Sequence, residues 1–149
     1  VIESMDVEMN TWREGARISQ INKFNRTDTV FSFYDESKIW SVVWDLSWEI
    51  HRDTEGAFDP TVKPLVDLWG FGLKHVEKVD SAEVDSIMQF VGFRTDMIDL
   101  DEIDSRSNYI ETHIIKRDSR VQLDFNAIAQ GYTVDMLIDL LQEAGIENA

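Results

Sequence analysis

The sequence of 149 residues holds no cysteine, and its 29 acidic against 14 basic side chains give a formal charge of −15. That excludes a disulfide framework and a thiolate zinc site, and it excludes nucleic-acid phosphates and anionic membrane surfaces as main partners by simple repulsion. An apolar share of 43% suffices for the core of one domain, no apolar run approaches the ~20 residues of a membrane span, and an anionic small ligand would need cations brought with it, which a divalent metal supplies.

Ile2, Met5, Met9 and Trp12 recur at helical spacing, and Gly15 breaks the run. Ile18 and Ile21 mark a short second helix, and residues 23–35 read as loop with a short strand. An unusually apolar helix is predicted over 36–52. Ile39, Val42, Val43, Leu46 and Ile50 form one stripe, and Trp40, Trp44 and Trp48 an adjoining one. An arc that wide predicts contact on two sides, as for a central helix under a sheet, with a partner surface or an aromatic ligand wall as the alternative.

Asp80 and Glu83 stand at capping-box spacing ahead of a helix carrying Val84, Ile87, Met88 and Val91, which stops at Gly92. Strands are predicted at 97–100, 109–115 and 120–124, the last two as a hairpin turning near Asp118 and Ser119. A final helix over 126–144 is predicted to turn Ala127, Val134, Leu137, Ile138 and Leu141 inward and Asp135, Asp139 and Gln142 outward. Helices and short antiparallel strands mix without βαβ regularity, so the fold class is α+β. The chain opens on Val1 within a helical pattern and stops at Ala149 where another strand is expected, which reads as one portion of a larger protein.

Most motif-like stretches reduce to ordinary structure. "DLDEIDSRSN", 99–108, has the look of a calcium loop but carries Asp104 where that loop needs Gly and Ile110 where it needs Glu, so it reads as a solvated acidic loop. His51, His75 and His113 are scattered and make no ligand pair. No phosphate-binding glycine loop and no nucleophile elbow is present.

Two stretches ask for more. In "GAFDPTVKPLVDLWGFG", 56–72, Asp59 before Pro60 suits the cap of a short helix whose start could offer N–H groups to an anion, and Pro64 can begin a further turn. Trp69-Gly70-Phe71-Gly72 sets two aromatics around a glycine that lets a flat group reach the backbone; the plainer reading is a packed loop with a buried Trp. In "LDFNAIAQGYTVD", 123–135, a strand ends on Asp124 and a helix begins near Asn126, so Asp124 and Gln130 flank a junction with unpaired backbone groups. Gly131 within that helix costs ~1 kcal/mol against Ala, which is accounted for if something must approach closely. Asn126 as a simple N-cap and Gly131 as a helix-packing contact are the alternatives.

Together with "EMNTWREGARISQINKFN", 8–25, these stretches resemble, in order, the blocks of the FAD:protein FMN transferase family, also called the ApbE family. The resemblance spans nearly the whole chain. It implies an ApbE-like, T-fold-related α+β fold of which residues 1–149 are the N-terminal portion of a single domain, with the family's C-terminal half, holding the Asp/Thr metal pair and the unidentified catalytic groups, lying elsewhere. It also implies FAD as substrate, Mg2+ as cofactor, transfer of FMN to a Thr or Ser hydroxyl of a target flavoprotein with release of AMP, and a periplasmic or lipoprotein setting. Carried over by position, Trp12, Trp69, Gly70, Phe71, Asp124 and Gln130 contact FAD, and the Ala127 backbone oxygen meets the metal. Gln130 departs from the family pattern, which often has a charged residue there; a neutral amide can still donate and accept hydrogen bonds.

Overall fold

The computed structural model describes residues 1–71, 78–104 and 110–146. Among the described residues six helices and three strands follow in the order α1 (Ile2–Met9), α2 (Arg17–Lys23), β1 (Thr29–Tyr34), α3 (Ile39–Asp53), α4 (Lys63–Leu68), α5 (Ser81–Met88), β2 (Ile98–Asp104), β3 (Ile110–Lys116) and α6 (Asn126–Glu143), with a 3-10 turn at Pro60–Val62 between α3 and α4. The α+β class is thus borne out. The sheet is antiparallel with β3 central, in the order β1-β3-β2.

Two sequence expectations about this sheet fail. Residues 110–116 pair with β1 and β2, not with 120–124. The alternation of Val121, Leu123 and Phe125 is real, since all three are buried, but their segment joins no ladder. The Asn22 side chain takes both backbone groups of Leu123, accepting from its N–H at 2.7 Å and donating to its carbonyl at 2.8 Å. The chain does turn at Asp118, whose carboxylate accepts from the Arg120 N–H. Likewise the acidic stretch from Asp99 to Asp104 is edge strand β2 rather than loop; Ser105–Asn108 lie outside the described residues, as do Gly72 and His75.

The core forms where α3 meets the sheet and the 121–125 segment. Trp40 is fully buried, edge-on to Phe33 at 5.5 Å and to Phe125 at 5.8 Å, and its indole N–H donates to Glu8. Trp44 stands edge-on to Phe93 at 4.9 Å, and Trp48 stacks on Phe93 at 4.4 Å. The central-helix reading holds, but the tryptophan stripe, with Ile39 and Val43, makes the core. Val42 is exposed, and Leu46 and Ile50 are half-buried. Large rings fill the gap to the sheet and the smaller stripe is displaced from it.

Helix α6 corrects its predicted facing as well. Ile128, Ala129, Tyr132 and Met136 pack on the core, while Ala127, Val134 and Ile138 are exposed. A helix apolar on nearly every side has more than one candidate stripe, and hydrophobicity alone does not choose among them. Asp135, Asp139 and Gln142 are exposed as expected.

Candidate functional site

The two singled-out stretches begin differently. Asp59 caps the 3-10 turn as predicted, Pro60 occupies its first position, and Pro64 opens α4. The expected anion-receiving helix start is not there. The Asp59 carboxylate takes the Thr61 N–H at 2.7 Å, the Asp59 carbonyl takes the Val62 N–H, and Thr61 is fully buried. With the donors used by its own cap, this turn has none to offer a ligand.

At the second stretch Phe125 holds the N-cap position of α6 and gives no side-chain cap, so Asn126 is not the simple N-cap of the sequence reading. The residue before it, Asp124, accepts the Asn126 N–H on its Oδ1 at 2.8 Å. The Asn126 side chain instead reaches back to the Thr11 hydroxyl at 3.4 Å, and Thr11 sits in a turn where the Trp12 N–H donates to Asn10. The Asp124 N–H donates to the Pro60 carbonyl at 2.7 Å. Segments 10–12, 59–61 and 123–126, far apart in sequence, therefore meet at the start of α6.

A cleft of about 390 Å³ opens beside that meeting point, between α1 and α6. Met5 and Met9 give it an apolar floor, and Asn10, Asn126, Gln130 and Thr133 give it neutral donors and acceptors. Its one charged side chain, Asp6, is engaged by Asn10 and Arg13, and these hydrogen bonds hold its carboxyl below the usual range. A wider groove of about 850 Å³ lies on the opposite face of α1. Glu3, Glu8, Glu36 and Glu111 line it against one cationic side chain, Arg17, which already pairs with Glu8. A phosphate-bearing ligand is repelled there, and none of the sequence-predicted residues line it, so the smaller cleft is the better candidate.

The remaining predicted residues fall as follows. Trp12 is 61% exposed, just beyond α1, beside the meeting point. Trp69 ends α4 at 44% exposure, and Phe71 is 72% exposed, so the reading of a buried Trp in a packed loop is overturned. Gly70 has φ of +68°, the left-handed conformation that lets the bend form without strain. No hydrogen bond among the described residues joins this bend to Asp124; the tie between their blocks runs through Pro60. Gln130 and Ala127 are exposed on the first turns of α6, and nothing lies within 4 Å of the Cβ position of Gly131, which removes the packing explanation for that glycine among the described residues. On the core-facing side of α6, between the cleft residues Gln130 and Thr133, burial and then the negative charge of Asp35 push the Tyr132 phenol up.

Sequence reasoning missed Asn10, Thr11 and Asn22. Asn22 meets a partner 101 positions away, for which no local pattern exists. Asn10 and Thr11 lie in the block that carried Trp12, and a polar pair directly after a helical run was the available signal.

The ApbE family pattern matches residues 1–149. The chain belongs to the ApbE family. It is 27% identical over 149 residues to the FAD:protein FMN transferase of Haemophilus influenzae and 29% identical over 148 residues to that of Vibrio cholerae, in each case over 99% of this chain and 40% of the relative. The flavin transferase ApbE from Vibrio cholerae superposes with a TM-score of 0.78 at 28% identity, over 98% of this chain and 43% of that one. The flavinyl transferase ApbE of Pseudomonas stutzeri gives 0.75 at 25% identity, over 95% and 43%. The chain thus spans about 40% of the length of its curated ApbE relatives.

Among the described residues no three His, Asp or Glu side chains gather as a metal site. The metal position that the resemblance implies, the Ala127 carbonyl, would supply at most one oxygen of the six that magnesium takes. The oxygen donors among the described residues are of the right type but do not complete a magnesium site.

Proposed function

We propose that residues 1–149 form the FAD-contacting part of an FAD:protein FMN transferase. In this reading the hydroxyl oxygen of a Thr or Ser on a target flavoprotein bonds to the phosphorus on the FMN side of the FAD pyrophosphate. The bridging P–O bond breaks, AMP leaves with the bridging oxygen, and the hydroxyl proton passes to a base that is not assigned among the described residues. Magnesium, when bound, supplies neutralisation of the charge that develops on the phosphoryl oxygens; the Ala127 carbonyl would hold it, together with water and substrate phosphates.

The observation that carries this reading is the meeting of segments 10–12, 59–61 and 123–126 at one helix start, in a chain of a family whose named members are flavin transferases. In the proposal Trp12, Trp69 and Phe71 offer aromatic faces to the isoalloxazine or adenine rings. Gly70 lets a ring approach the backbone, and Asp124 and Gln130 hydrogen-bond to the nucleotide. The two methionines flooring the cleft suit a polarisable ring system.

The test combines full-length protein, FAD, magnesium and a candidate acceptor flavoprotein, and follows acceptor mass and AMP. An FMN increment on the acceptor with equimolar AMP is expected. AMP without labelled acceptor would favour a second reading, a flavin-holding protein without efficient transfer. Because the aromatics are so exposed, residues 1–149 alone are expected to bind FAD weakly and turn nothing over. Tight, magnesium-dependent FAD binding by isothermal titration would overturn that. On the family resemblance we further propose a periplasmic or lipid-anchored location, checked by cell fractionation.

A further inference from the structure

Residues 58–61 are fastened more completely than a single turn requires. The Asp59 Oδ1 accepts both the Thr61 N–H at 2.7 Å and the Thr61 hydroxyl at 2.5 Å, and its Oδ2 accepts the Phe93 N–H at 3.0 Å. The buried Thr61 hydroxyl accepts in turn from the Gly92 N–H at 2.7 Å. Gly92 has φ of +150°, a backbone setting that presents this N–H and that other residues rarely adopt. Upstream, His51 Nδ1 donates to the Phe58 carbonyl at 2.7 Å, while the His51 ring stands edge-on to Phe93 and Trp48. A cap needs only the first of these bonds. The others bind the turn to the 92–93 backbone and so to Phe93, which has no exposed surface.

This fastening delivers one group, the Pro60 carbonyl. Proline has a fixed φ and no N–H, and its oxygen meets the Asp124 N–H at 2.7 Å. Asp124 then has its backbone held by Pro60 and its Oδ1 held by the Asn126 N–H. Its second carboxylate oxygen has no partner among the described residues.

We infer that Thr61 and Asp59 are positioning residues for the ligand: they hold the Pro60 carbonyl, which fixes the Asp124 backbone and aims the free oxygen of its carboxylate at the nucleotide. Neither touches the ligand. This rests on the reading of Asp124 as an FAD contact. It differs from a purely structural role in what it requires of Asp124. A structural role alone costs stability and leaves Asp124 undisturbed; a positioning role couples the two residues energetically.

Three variants of the full-length protein separate these. Thr61→Val keeps the shape and deletes the hydroxyl, Thr61→Ser restores the hydroxyl, and Asp59→Asn sets an amide donor where the carboxylate met the Thr61 and Phe93 donors. Hydrogen-exchange NMR at the Asp124 amide reads the latch without any ligand, and titration with FAD and magnesium chloride reads its consequence. The expected result is about a tenfold loss of Asp124 amide protection and of FAD affinity in Thr61→Val, the scale of one lost buried hydrogen bond, with recovery in Thr61→Ser. Adding Asp124→Ala to Thr61→Val should then cost little further affinity. Should Thr61→Val fail to fold, Asp59→Asn is expected to show the same loss of Asp124 protection. Unchanged Asp124 exchange in the folded variants, or fully additive affinity losses in the double variant, would overturn the inference. Absence of FAD binding by the wild-type protein would instead remove the functional reading and the ligand half of this inference, and the exchange data alone would then judge the latch.

Discussion

Asp59–Thr61 and Trp69–Phe71 belong to one stretch of sequence, yet the first group is locked and the second lies open. Thr61 is fully buried and shares a closed hydrogen-bond network with Asp59, Gly92 and Phe93. Trp69 and Phe71 are 44% and 72% exposed. Monomeric surfaces carry single exposed rings without consequence, but here two flank a left-handed glycine at the end of a hydrogen-bonded block and form an apolar patch. The block thus divides into a frame, which is buried and polar-satisfied, and a rim, which is apolar and uncovered. The same division recurs around α6, where Leu123 and Phe125 are buried frame while Ala127, Gln130 and Gly131 are rim.

Breaking the frame has the largest expected effect. Phe93 touches Trp44, Trp48 and His51 and its N–H is held by Asp59, so Phe93→Ala removes the ring on which the turn rests. Such a truncation costs ~3–5 kcal/mol, and chemical denaturation should show it as a lower midpoint with little change in slope. A loss below about 1 kcal/mol would mean that the turn does not depend on the aromatic cluster, on the same scale of core truncations.

The frame also contains a charge. Lys116 has no exposed surface, and its ammonium donates to the Phe24 carbonyl at 2.9 Å and the Ile21 carbonyl at 3.3 Å at the end of α2. Burial pushes this ammonium down to about 8, against the opposing attraction of Asp118. Below pH 8 the group is charged in folded and unfolded chains alike, and the folded state bears the full cost of burying it. From pH 8 to the ordinary lysine value near 10.5 the unfolded chain binds more protons, so the Lys116 contribution to stability rises with pH, by about 3 kcal/mol in all. Lys116→Met cannot show this rise. The difference in thermal midpoint between wild type and Lys116→Met should shift in favour of wild type across that window, and a flat difference would contradict the buried charge.

On the rim the order of effects reverses. Trp69→Ala and Phe71→Ala are expected to change stability by less than about 0.5 kcal/mol, as for other exposed positions. Each should weaken FAD binding by the full-length protein by roughly tenfold, the value of one aromatic contact. Fluorescence quenching of FAD on titration measures the second effect and thermal melting the first. If stability falls as much as affinity, the bend belongs to the frame and the distinction between the two regions fails.

How the sequence divides between readable and unreadable follows the same line. Local devices were legible: the periodicity of α1 to α3, Asp59 with Pro60 and Asp80 as caps, and the acidic outer face of α6. Asp80 accepts the Ala82 N–H as a cap should. Choices made in three dimensions were not. Val121, Leu123 and Phe125 alternate as a strand does, but whether a ladder or a side-chain amide satisfies such a segment depends on Asn22, which no window of sequence connects to it. Ala127, Val134 and Ile138 look like core because they are apolar, and α6 has apolar residues enough for two faces. For the site, the blocks resembling the ApbE family contain the three segments that meet at the start of α6, whereas the hydrogen bonds that join them, Pro60 to Asp124 and Thr11 to Asn126, are tertiary facts.

Gly131 gives the smallest expected effect and the most direct test of the rim. Within α6 it lowers helix stability by ~1 kcal/mol relative to Ala, and among the described residues a methyl group at this position would meet no atom from outside its own stretch of helix within 4 Å. Nothing in the frame therefore opposes Gly131→Ala, and the variant should be more stable by up to ~1 kcal/mol through helix propensity alone. Gln130 is its neighbour in the chain and Ala127 lies one turn before it on the same face. If the nucleotide or its metal approaches the backbone there, the added methyl group stands in its path. The combination expected is a higher thermal midpoint with weaker FAD binding, two changes of opposite sign from one carbon atom. A variant that gains stability and keeps its affinity would show that the ligand does not come to this turn of α6, and would restrict the site to the Asp124 end of the junction.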